Sequence, residues 1–173
     1  MPYLCVLIYF VFFAGVAMTI GEGLWNNAIN LMAMLISGVA AICLGYPLGL
    51  WFLGQIDKPA EFSWYFVFGG VWVVFFAWIM VFRVIGERLS RVRMKFVPPL
   101  ETAAGPLMGL LLATMFASFL AFTLYYIPIR AGYWDARQAA SWQQTTMRSG
   151  AGPFYTVLKA VAGDPIADAS VGR

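Results

Sequence analysis

The chain reads as an all-α polytopic membrane protein with four transmembrane helices, and three observations carry that reading. It is 62% hydrophobic and 11% charged over 173 residues, with a mean hydropathy of +0.79; a soluble domain carries roughly 25% charged residues. Apolar stretches recur at about 3–20, 28–53, 63–83 and 103–128, each close to or above the ~20 residues that cross ~30 Å of hydrocarbon. Two of them carry a small residue at every fourth position: Ala33, Ser37, Ala41, Gly45 and Gly49 in the second, Gly105, Gly109, Ala113, Ala117 and Ala121 in the fourth. Such grooves let helix backbones approach closely, which matters in lipid because no hydrophobic force drives apolar helices together.

Span one runs from Tyr3 to Ile20. No basic segment precedes it, and Ala14 and Ala17 lead directly towards another apolar segment, so it is expected to be retained rather than cleaved. Gly21-Glu22-Gly23 turns the chain, and Trp25, Asn26 and Asn27 open span two, giving a hairpin with almost no loop. Pro47, between Gly45 and Gly49, removes one backbone hydrogen bond and crowds the Cys43 carbonyl, which predicts a kink. Asp57-Lys58-Pro59 marks the next turn and Ser63 an N-cap for span three. A basic helical extension, Arg83 to Phe96, follows and should end at Val97-Pro98-Pro99. Thr102 should cap span four, with Pro106 in its first turn. Spans one–two and three–four then form two same-facing hairpins in a transmembrane domain over residues 1–130.

Residues 131–173 read as a partly helical extramembrane tail. Gly150-Ala151-Gly152-Pro153 should break the chain, after which Phe154, Val157, Leu158 and Val161 recur along one face of a short amphipathic helix. The stretch from Gly163 reads as disordered. Tyr3, Trp51, Trp64, Tyr65, Tyr125 and Tyr126 fall at one face of the membrane, as an interfacial belt does.

Charge sets the orientation. Arg83, Arg88, Arg91, Arg93 and Lys95 crowd the connection between spans three and four, whereas Lys58 stands beside Asp57 and Glu61 in the preceding one. The positive-inside bias places the loop 84–97 in the cytoplasm of an inner membrane and both termini outside it. Arg88, Arg91, Arg93 and Lys95 are the residues expected to meet anionic lipid or a protein partner. At a net charge of +3 the basic residues form no nucleic-acid face.

Glu22, Asn26 and Asn30 are spaced i, i+4, i+8 and form the one candidate polar or ion site, set against the plainer reading of an interfacial turn with an acid near a helix N-terminus. Histidine is absent, and Cys5 and Cys43 lie within spans as packing residues. The carboxylates are scattered, and no phosphate loop, zinc spacing or nucleophile–base pair occurs. No catalytic residue, metal or cofactor is therefore expected.

Two blocks resemble the colicin V production protein family. ETAAGPLMGLLLA (Glu101 to Ala113) matches its acidic residue followed by a Gly-x-x-x-Gly start to the last membrane helix, through Glu101, Gly105 and Gly109. GLWNNAINLMAMLISGVAAI (Gly23 to Ile42) is similar to the family's other block, a glycine leading into a long helix. Thr102 stands where the family has a basic residue, and Glu22 where it often has an arginine. The resemblance covers roughly residues 1–130 and implies a four-helix inner-membrane protein with a role in toxin production or export, or in envelope homeostasis.

The ladders predict that spans two and four meet in parallel along Gly45/Gly49 and Gly105/Gly109 or their mid-helix alanines, with Gly105 level with Ala33 and Ala121 near Gly49. A non-enzymatic oligomer, a transporter or channel subunit, and an accessory subunit of a larger membrane complex are the functional readings these features support.

Overall fold

The computed structural model describes residues 3–55, 63–89, 98–127, 135–136 and 139–163. Five helices account for nearly all of them: α1 (Tyr3–Thr19), α2 (Leu24–Gly54), α3 (Ser63–Leu89), α4 (Pro98–Tyr126) and α5 (Ser141–Ala162). Three segments are long and apolar enough to cross a membrane, Leu24–Gly54, Trp64–Gly86 and Thr102–Tyr126; α1 is equally apolar but shorter, at 17 residues. The chain is an all-helical, multi-pass membrane protein.

Prolines shape three of the helices, and each acts through its missing N–H. In α2, Pro47 leaves the Cys43 carbonyl without its usual donor, and the backbone over Ala41–Gly45 widens into a π-helical turn. The kink expected at Pro47 is therefore a π turn one step upstream. In α4, Pro98 and Pro99 stand in the first turn of the helix, while the expected end of the basic extension before them, over residues 90–97, lies outside the described residues. Their fixed φ and absent donors cost little in a first turn, so Thr102 and Pro106 fall inside α4 rather than at its start. In α5, Pro153 sits within a continuous 22-residue helix, and the break expected at Gly150–Pro153 does not occur. The N–H of Phe154, next to that proline, donates to Ser118 Oγ of α4 at 2.9 Å, so α4 satisfies a backbone group that the proline disturbs.

α4 is the hub, lying against α1, α2 and α5. Its direction relative to α2 is set by two contacts: Asn27 reaches the Gly105 carbonyl, and a Cβ on Gly38 would stand 3.5 Å from Phe119. Residue numbers rise together on both helices, so α2 and α4 run parallel, but Gly105 lies level with Gly23–Asn27 rather than with Ala33. The ladders also part company. Gly45 and Gly49 pack on α3, not α4: a Cβ on either would come within 2.6 Å of the Cα of Val71 or Val67, and one on Gly70 within 2.9 Å of the Gly45 carbonyl. Gly105 and Gly109 pack on the turn between α1 and α2, Ala113 on Gly15 of α1, and Ala121 near Gly150 of α5. The reason is geometric. A step of four residues advances about 40° around a 3.6-residue helix, so five such residues sweep past several neighbours instead of facing one.

The tail joins the bundle. α5 lies antiparallel along α4, with Gly150 opposite Ala121 and Phe154 opposite Ser118. Gln143, Met147, Ala151, Phe154 and Leu158 are its buried residues. Of the expected apolar face, Phe154 and Leu158 are buried, Val157 is half-buried and Val161 is exposed. Phe154 completes an aromatic core with Phe119 and Phe122 (ring centroids 4.9 and 5.4 Å away), and Phe119 stacks on Phe75 of α3 at 4.5 Å. The first turn of α5 is held by Gln143, whose Oε1 accepts the Ala140 N–H at 3.3 Å.

Two outcomes test this packing. In a background lacking Cys5 and Cys43, the pair Ala121→Cys/Gly150→Cys should form a disulfide in membranes, since the Cβ separation is 3.6 Å. Ala41→Cys/Ala113→Cys should not. Gly45→Ala and Gly49→Ala should each destabilise by about 1–3 kcal/mol because backbone must move. Gly69→Ala, with nothing within 4 Å of the new methyl, should be neutral or gain up to ~1 kcal/mol of helix propensity; reversible unfolding in detergent measures all three.

Candidate functional site

Two polar features stand out in this apolar bundle: a buried amide at the α1–α2 turn, and the outer face of α5. Glu22 is exposed, and its Oε2 accepts a hydrogen bond from Asn26 Nδ2 at 2.8 Å on the surface of the turn. Asn30, one turn further along, is also exposed. The three residues spaced four apart thus form a surface strip, not an enclosed vestibule.

The buried amide belongs to their neighbour Asn27, which is 0% exposed. Its Nδ2 lies 3.0 Å from the Thr19 carbonyl, 3.3 Å from that of Glu22 and 3.0 Å from that of Gly105. The first two lie where α1 ends; the Thr19 carbonyl also accepts the Glu22 N–H at 3.0 Å, so Asn27 adds a second donor there. The third belongs to α4. One side chain therefore closes the end of α1, fixes the turn and sets the register of α4. Thr19 adds a second tie, its Oγ1 standing 2.8 Å from the Gly15 carbonyl and 3.1 Å from that of Gly109.

Glycine is required on the α4 side. A Cβ at Gly109 would meet the Thr19 carbonyl at 2.9 Å and Asn27 Nδ2 at 3.1 Å, and one at Gly105 the Glu22 carbonyl at 3.3 Å. Gly23, Gly105 and Gly109, which lie in separate blocks of sequence, come together here. Glu101 lies in the first turns of α4 and Arg88 near the end of α3. Arg91, Arg93 and Lys95 lie outside the described residues, as do Asp57, Lys58 and Glu61. Beside the clamp, Leu24, Ala104, Leu107, Met108 and Leu111 line an open groove of about 380 Å³ that is almost wholly apolar.

The second feature was not anticipated. Thr145, Arg148, Ser149, Gly152, Thr156 and Lys159 occupy one arc of about 100° on α5, opposite its buried side; all are exposed except Gly152, which is half-exposed. The exposed large residues of the other helices are mainly apolar, with Phe10 and Phe13 on α1, Met32 and Ile36 on α2, Phe76 and Met80 on α3, and Leu107 on α4, while Asn30 on α2 and Arg83 near the end of α3 are exposed as well. The α5 stripe passes the level of Gly38, midway along α2, because Phe154 packs there: a Cβ on Gly38 would meet the Phe154 ring at 2.7 Å. The hydroxyls are internally satisfied, Thr145 bonding the Ser141 carbonyl, Ser149 that of Thr146 and Thr156 that of Gly152. A charged side chain at the centre of a membrane helix costs about 2.5–3.5 kcal/mol, less when it snorkels to the interface. The signal in the sequence was the polar run itself, whose period matches the helix only if Gly150–Pro153 is read as helical.

No family model, curated protein or solved structure matches this chain.

Asn27→Ala should cost about 1–3 kcal/mol, since it removes the side-chain donor shared by the Thr19, Glu22 and Gly105 carbonyls. Asn26→Ala, which breaks only a surface hydrogen bond, should stay within about 0.5 kcal/mol of the parent. Equal effects of the two substitutions in reversible unfolding would refute the clamp.

Proposed function

We propose that this protein is a non-enzymatic subunit of a larger inner-membrane assembly, contacting the rest of that assembly through the outer face of α5. The observation that carries the reading is the stripe from Thr145 to Lys159, polar and exposed at the level of the bundle's aromatic core. Such a face is poorly matched to acyl chains and well matched to protein or water. Among the described residues, most of the remaining outward surface is apolar and suits lipid.

In this proposal α1 to α4 are four membrane passes arranged as two same-facing hairpins, with the basic loop 84–97 in the cytoplasm and Tyr3 outside. α5 enters from the outer side and runs inward along α4. Its descent argues against a tail lying wholly outside the membrane. A role in toxin production or export, or in envelope homeostasis, follows from the resemblance to colicin V production proteins; the meeting of Gly23 with Gly105 and Gly109 supports it, because both resembling blocks then serve one structural purpose. A channel centred on Glu22 is less well supported, since Glu22, Asn26 and Asn30 lie on the surface of the turn.

Mild-detergent extraction from the native membrane tests the subunit reading. The 19.2 kDa chain should elute within a defined particle of several times its mass, at fixed stoichiometry. Elution as a monodisperse single chain would overturn it.

A further inference from the structure

The clamp at the α1–α2 turn gathers more oxygen than its amide can serve. The carbonyls of Thr19, Glu22 and Gly105 lie 3.0, 3.3 and 3.0 Å from Asn27 Nδ2, and an amide nitrogen has only two hydrogens to give. At the other end of the same amide, Oδ1 is buried and finds no donor among the described residues. The side chain is 0% exposed, so bulk water does not relieve it.

Glycine keeps one side of this cluster open. A Cβ on Gly109 would stand 2.9 Å from the Thr19 carbonyl, 3.0 Å from Thr19 Oγ1 and 3.1 Å from Asn27 Nδ2. The space is a small cradle walled by a carbonyl, a hydroxyl and the amide, and glycine leaves it free of any side chain. It adjoins the turn at Gly21 and Glu22, both exposed, and nothing stands within 4 Å of where a Cβ on Gly21 would be. An ion from the aqueous side has a short route to it.

We propose that this cradle binds a monovalent cation of sodium's size. The nitrogen and oxygen of an amide are alike in size, and a half-turn about χ2 exchanges them. With Asn27 so turned, Oδ1 joins the Thr19, Glu22 and Gly105 carbonyls and the Thr19 hydroxyl around the ion. The amino group then becomes the unpartnered end in place of Oδ1, at a like cost. The ion takes over the bridging of α1, the turn and α4. All of these ligands are neutral, whereas divalent cations in proteins are held by carboxylates. The Glu22 carboxylate stays on the surface, bonded to Asn26. Neutral oxygens at the broken end of a membrane helix suit Na+ instead, and their convergence within 3.3 Å of one atom suits Na+ over the larger K+. Gly105 and Gly109 of α4 back the cradle, so the ion is held rather than passed on, and it locks the register of α4. The site is independent of α5 and of what covers it.

Binding of radiolabelled sodium to the full chain in detergent tests this. In choline chloride buffer the purified chain should bind the label saturably, and unlabelled Na+ should displace it at concentrations where K+ does not. Asn27→Leu, which removes the amide oxygen, and Gly109→Ala, which fills the cradle, should each abolish binding. Thr19→Val should weaken it about tenfold, the scale of one lost ligand. Asn27→Asp, whose ionised side chain has no hydrogen to give the carbonyls, should unfold at a temperature that rises with NaCl but not with choline chloride. Glu22→Gln should keep the site. The Ala121→Cys/Gly150→Cys crosslink, introduced into each variant, confirms that α4 and α5 remain packed.

A parent chain that binds no sodium saturably overturns the proposal. So does displacement by K+ as effective as that by Na+. Binding that survives Asn27→Leu and is lost in Glu22→Gln would place the ion on the surface strip, and equal stabilisation of Asn27→Asp by NaCl and choline chloride would mean screening of charge; either result also refutes the cradle.

Discussion

One side-chain amide determines where α4 sits, and much of the bundle follows from α4. Asn27 holds carbonyls from the end of α1, from the turn and from α4. In water those carbonyls would be satisfied by solvent, and the amide would contribute little. In an apolar surrounding they have no such alternative, so the position that brings Gly105 and Gly109 against Asn27 and Thr19 is strongly favoured over a slip by one turn. Glycine at both places is the steric condition for that approach. Once α4 is fixed there, Ala113 meets Gly15, Phe119 meets Phe75, and Ser118 faces the disturbed backbone of α5.

The two halves of the bundle use the same physics with different partners. α2 and α3 are joined at Gly45, Gly49 and Gly70, where backbone lies against backbone and dispersion contacts are close. α4 and α5 are joined by aromatic packing around Phe154 and one hydrogen bond to Ser118. The π turn over Ala41–Gly45 lies between these regimes. It absorbs the consequences of Pro47 at the level where α2 leaves the aromatic core and begins its contact with α3.

α5 gives the molecule its asymmetry. Four helices present mainly apolar surface outward, apart from Asn30 and Arg83, and the fifth presents hydroxyls and two cations. Its inner face is also the least conventional for a membrane helix, since Gln143 is buried beside Met147 and Ala151. Internal hydrogen bonds from Thr145, Ser149 and Thr156 remove much of the cost of the hydroxyls.

The sequence by itself determined the class, the apolar segments and the turn at Gly21–Gly23, because hydropathy over ~20 residues and Gly punctuation act locally. Gly105 and Gly109 were legible as close-contact positions for the same reason, though not what they contact. Only the tertiary structure decided that. Small residues at every fourth position rotate around the helix, so neighbours must be known before a ladder can be assigned to one of them. Asn27 was hidden by its more regular companions Asn26 and Asn30, since burial depends on where α4 lies. The helix through Gly150–Pro153 was equally out of reach: a run of Gly, Ala and Pro is a breaker on its own, and it becomes a helix when Ala121 accepts its smallness and Ser118 its loose N–H.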